Sequence, residues 1–112
     1  MSSYARALEL VDKLTADGIT ATVDSRAATP PCVLVPPPSR EYDVACGYTA
    51  SWELWVLVPG TGNADAHKQL DELVDRVAAV FPVERADLQA YALSVDSPPV
   101  PAYRVTFTEG VS

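Results

Sequence analysis

Between Ser51 and Phe81 the chain changes its hydrophobic period. An apolar run, Trp52-Glu53-Leu54-Trp55-Val56-Leu57-Val58, leads through Pro59-Gly60-Thr61-Gly62-Asn63 into a stretch where Ala66, Leu70, Leu73, Val74, Val77, Val80 and Phe81 recur every three or four residues. The run is too short for period alone to separate strand from buried helix. Its β-branched and aromatic content between turn residues predicts a strand. The longer stretch predicts an amphipathic helix from Ala64 to Phe81, with Asp65, Lys68, Asp71, Asp75 and Arg76 on its other faces. Such a helix is roughly 27 Å long at 1.5 Å per residue. Asn63 is a suitable N-cap, Asp65 suits the positive end, and Pro82 stops the helix. Laid on the strand, each aliphatic side chain of its stripe contributes about 1.5–3 kcal/mol, largely offset by ordering entropy.

The flanking segments repeat both periods. Ser3 caps a first helix whose Tyr4, Leu8, Val11 and Leu14 share a face, and Gly18 ends it. Ile19–Val23 alternates as a strand near an edge, Ser25–Pro31 is a loop, and Cys32–Val35 is a short apolar strand stopped by Pro36-Pro37-Pro38. Tyr42, Val44 and Cys46 alternate in a third strand, and Gly47-Tyr48-Thr49 turns into the central one. Beyond the long helix, Val83–Ala86 and Leu88–Val95 precede a stiff connector, Asp96–Pro101, and a last strand in which Tyr103, Val105 and Phe107 alternate with polar residues. The order is helix, three strands, central strand, helix, two strands. It predicts one α+β domain over residues 1–112, a largely antiparallel or mixed sheet flanked by two helices. On the central strand Trp52, Leu54, Val56 and Val58 share one face, and Glu53, Trp55 and Leu57 the other. Two arrangements cover both indoles: one helix on each face, or helices on one face and a neighbouring subunit on the other.

Composition narrows the function. A net charge of −7, with only 8 Lys and Arg, argues against a nucleic-acid-binding surface, which needs clustered cations. No apolar run approaches the ~20 residues of a membrane span, and the first residues lack a signal-peptide pattern, so a cytoplasmic origin is expected. Cys32 and Cys46 fall in strands, where a disulfide requires the right register and a reducing compartment favours free thiols. No C-x-x-C pair suggests zinc or redox chemistry.

Several motifs tempt and fail. Strand, Gly60-Thr61-Gly62 and helix resemble the start of a dinucleotide fingerprint, but Asp65 stands where the third glycine belongs, and no Lys-Ser or Lys-Thr pair makes a P-loop. His67 is the sole histidine, flanked by Asp65 and Asp71, and a metal site would need further ligands from elsewhere. No serine or cysteine sits in a nucleophile elbow. The expectation is a protein without catalytic, cofactor or metal sites. The prolines are more informative: Pro30-Pro31, Pro36-Pro37-Pro38 and Pro98-Pro99-Val100-Pro101 stiffen three loops that lose little entropy on docking. Simple termination of edge strands also places prolines there. The candidate interface is Trp55 and Leu57 with Pro30, Pro31, Pro37, Pro38, Pro98 and Pro99.

Ala21-Thr22-Val23-Asp24, Pro30-Pro31-Cys32-Val33-Leu34-Val35-Pro36-Pro37, Trp52-Glu53-Leu54, Pro59-Gly60-Thr61-Gly62-Asn63-Ala64-Asp65-Ala66, Pro101-Ala102-Tyr103 and Thr106–Glu109, in this order and spacing, resemble the tail terminator proteins of long-tailed actinobacteriophages. The resemblance spans nearly the full chain and rests on strand ends and turns. It implies a lambda-type tail-terminator-like fold and a structural virion protein, assembled in the host cytoplasm. It further implies a hexameric ring at the head-proximal end of the tail tube, partnered by the tube protein and the head-to-tail connector or stopper. DNA is then only passing cargo, and a ring of acidic subunits repels the duplex. Another neck connector, or a small ligand-binding α+β domain built around Gly60-Thr61-Gly62, are the alternative expectations.

Overall fold

Alternating apolar and polar side chains carry eleven residues, Gly47–Leu57, through the middle of a six-stranded mixed sheet. The computed structural model describes residues 3–43, 47–59, 63–92, 96 and 99–111. In chain order the elements are α1 (Ser3–Ala16), β1 (Ala21–Thr22), a 3-10 turn (Ser25–Ala27), β2 (Cys32–Leu34), β3 (Ser39–Asp43), β4 (Gly47–Leu57), α2 (Asn63–Val80), β5 (Arg85–Tyr91) and β6 (Val100–Val111). The class is α+β, as the pattern predicts. Strand order is β1-β2-β4-β6-β5, with β3 also on β4, and among the described residues only β1 and β2 pair in parallel. The expected turn at Gly47-Tyr48-Thr49 is corrected: these residues already pair as strand, with Asp43 opposite Gly47. Gly47 has φ 109°, a conformation open to glycine. Of the expected features, Val44, Cys46, Gly60-Thr61-Gly62, Leu93, Val95 and Pro98 lie outside the described residues.

β2 and β3 run along the same edge of β4, and the prolines between them change the register. Leu34 is opposite Trp55, whereas Ser39 is opposite Ser51. Four residues, 35–38, therefore face three on β4. Prolines 36–38 have no N–H to give the ladder, and the extra residue acts as a bulge that reverses which parity faces the core. Val33 and Val35 are in the core, and beyond the bulge Arg40 and Tyr42 take that side of the sheet.

Both helices lie on one face. Ala7, Leu10 and Leu14 of α1 and Ala66, Leu70, Leu73 and Val77 of α2 share a single core with Trp52, Leu54, Val56, Val58, Val105 and Phe107. The stripe expected on α2 is the buried one, and Phe81 closes its end by stacking on Phe107 with centroids 5.3 Å apart. On α1 the expected face is corrected. The buried stripe runs through Ala7, Leu10 and Leu14, while Tyr4 is 65% and Leu8 39% exposed. The small Ala7 lets the helix approach the sheet closely, which turns the two larger residues outward. One helix per face is thereby excluded, since α1 and α2 also touch each other.

Candidate functional site

Register decides which side chains reach the face without helices. On β4 these are Thr49, Ser51, Glu53, Trp55 and Leu57, opposite Gly110, Thr108, Thr106, Arg104 and Ala102 of β6. Pairing with β6 adds Arg85, Asp87, Gln89 and Tyr91 of β5.

The half near Leu57 is apolar. Cys32, Leu34, Leu57 and Ala102 form a second small core, with Ala28, Trp55, Tyr91 and Val100 packed against it. Ala102 explains its shape: on the strand between β4 and β5, a methyl group leaves room for Trp55 and Tyr91 to meet, with centroids 4.8 Å apart. Such a pair adds about 0.5–1.5 kcal/mol beyond its buried area. This corrects one expected interface residue. Leu57 is fully buried within the monomer, and Trp55, half-buried, is the residue that reaches the surface.

The other half is polar. Arg85 Nε donates to Asp87 Oδ1 at 2.8 Å, and Arg104 donates a longer 3.4 Å bond to Oδ2. Arg85 first, then Arg104, holds the Asp87 carboxyl below its ordinary value. Glu84 accepts from the Thr108 amide at 2.9 Å and its hydroxyl at 2.7 Å, which lowers the Glu84 pKa as well. Arg104 Nε is buried and has no acceptor among the described residues. A donor left in that state costs about 1–3 kcal/mol, which an acceptor arriving from outside would recover.

A separate network on the helix side ties the fold together. Arg6 donates to both Glu109 oxygens at 3.0 Å, and the buried Trp52 indole donates to Glu109 Oε1 at 2.9 Å. The Arg6 bonds are the main cause holding the Glu109 carboxyl below its ordinary value, and the Trp52 bond adds to them.

The proline loops do not gather beside Trp55. Exposed Pro31 follows half-buried Pro30 through a cis bond and lines a cleft of about 320 Å³ with Cys32, Gln69, Glu72 and Arg76. Exposed Pro37 lines another cleft near Tyr4, and Pro38 is half-buried. Exposed Pro99 precedes Val100, which packs on the second core. Cys32 is a free, buried thiol whose pKa burial pushes up, so it is a poor nucleophile. His67 is exposed on α2, 3.4 Å from Asp71. Among the described residues no three His, Cys, Asp or Glu side chains converge, and no helix is long and apolar enough to cross a membrane. Sequence reasoning missed Tyr91, Arg104 and Asp87 as parts of the open face. Alternation in the last two strands was the available signal. Comparison with protein-family models, curated proteins and solved structures finds no match.

Proposed function

We propose that this chain is the tail terminator of a long-tailed phage, a non-enzymatic subunit of the virion neck. Copies form a ring, hexameric in the family that the sequence resembles, at the head-proximal end of the tail tube. The ring stops tube growth and presents a surface to the head-side connector, with DNA passing through as cargo. The resemblance along nearly the whole chain supports this reading. The structural observation that carries it is the one-sided sheet: both helices on one face, and on the other half-exposed Trp55 beside a buried Arg104 N–H with no acceptor among the described residues. A subunit completed by its neighbours has such a face. The net charge of −7 disfavours adhesion of the ring to the duplex.

Gold-labelled protein imaged in virion necks, together with tube growth in its absence, tests the proposal. Label at the tube–neck junction and tubes of irregular length without the protein are expected. Label at the junction with normal tube length would reassign the chain to another neck connector. Label elsewhere would end the neck reading. Trp55→Asp is expected to stay folded by circular dichroism and fail to cap tubes, because a charge desolvated in a contact costs several kcal/mol.

A further inference from the structure

Among the described residues four large apolar side chains stand exposed, and they divide between opposite edges of the sheet. Tyr4, Leu8 and Tyr42 belong to the edge formed by α1 and β3, and Leu88, 68% exposed, belongs to β5. Both groups lie on the helix side. Tyr42 pairs with Tyr48, which packs against the main core, and Leu88 pairs with Tyr103, which does the same. Each has a concavity beside it. Tyr4 lines an apolar cleft of about 190 Å³ with Val23, Val35 and Pro37. Leu88 lines one of about 260 Å³ with Ala66, Leu70, Pro101 and Tyr103, where the helical layer stops short of β5.

Charge differs between the edges in a matching way. Arg40 lies over the Tyr48 ring at 4.6 Å and donates to the Tyr42 hydroxyl at 3.1 Å and to Ser3 Oγ. It has no carboxylate partner among the described residues. At the other edge the cleft-lining His67 sits beside exposed Asp71. Two copies of an acidic chain repel one another, and a cation facing the Asp71 carboxylate offsets this locally.

On the reading that this protein forms a ring, we infer that the ring closes head to tail: the Tyr4, Leu8 and Tyr42 edge of one copy seats on the Leu88 cleft of the next, with Arg40 facing Asp71. Unlike patches at opposite edges make a heterologous contact, which propagates around a ring, whereas one self-complementary patch stops at a dimer. Trp55 and Arg104 then remain free, on the other face, for the tube or the connector.

The test mixes two variants, Tyr4→Asp with Tyr42→Asp in one chain and Leu88→Asp in the other, and follows sedimentation and capping of tube ends. Wild-type protein should form rings and each variant alone should remain monomeric. Their equimolar mixture should give a heterodimer and nothing larger, since each chain keeps one intact edge. Rescue on mixing requires both variants to be folded. Should either aspartate change the circular dichroism, the corresponding serine variants are read in the same way. Rings from either variant alone, or a mixture of folded variants that stays monomeric while wild type assembles, would overturn the head-to-tail contact and leave the terminator reading intact. Wild type that neither assembles nor caps tubes would overturn both.

Discussion

Replacing Glu109 removes a carboxylate that joins α1, the buried Trp52 and the last strand. In Glu109→Ala the Trp52 indole N–H, on a residue 1% exposed, loses its acceptor. An unpaired buried donor costs about 1–3 kcal/mol. Arg6, with a side chain 23% exposed, regains water in part, so losing its paired bonds adds about 1 kcal/mol. The expected loss is therefore about 2–4 kcal/mol, which at a urea slope of about 2 kcal/mol/M lowers the midpoint by about 1–2 M. Urea titration at pH 7 followed by tryptophan fluorescence measures it. The pH dependence has a definite sign. Glu109 has a lowered pKa when folded, so the unfolded chain takes up the proton at higher pH. The stabilisation is complete above the unfolded carboxyl pKa of about 4.3 and is lost as pH falls through the folded value. The gap between wild type and Glu109→Gln should be widest near neutral pH and shrink on acidification. Equal midpoints at pH 7, or a gap that grows in acid, would refute the assigned role.

Three further outcomes test other parts of the fold. Val77→Ala, fully buried, and Leu73→Ala, at a cleft margin, should each destabilise by about 2–4 kcal/mol in the same assay, with Leu73 at the lower end because solvent can enter its cavity. Gly18→Ala should lose about 1–2 kcal/mol, since φ is 81° there and the new methyl would stand 3.2 Å from the Arg76 guanidinium; an unchanged thermal midpoint would contradict this. A gel-shift titration with duplex DNA at moderate salt should give no tight complex, because Arg6, Arg26, Arg85 and Arg104 are each already paired with a carboxylate of this chain.

Local pattern was enough for the element order, the two faces of β4 and the buried stripe of α2. Each follows from a backbone period, near two for a strand and 3.6 for a helix, that neighbouring residues enforce without distant contacts. The stripe of α1 was misread because Tyr4 and Leu8 outweigh Ala7 in hydrophobicity, while close packing on the sheet favours the smaller side chain. The opposite faces of Trp52 and Trp55 were legible; the fate of each was not. Trp52 finds its acceptor in Glu109, and Trp55 finds Tyr91 because Ala102 is small, and both pairings join residues far apart in the chain. Likewise the parity change at prolines 36–38 exists only relative to β4, since an extra residue is a bulge only against a partner strand. Alternation thus determined that the sheet has two apolar sides near Leu57. The tertiary structure alone decided that both helices take one of them, because which surface covers a face depends on where distant segments pack rather than on the face itself.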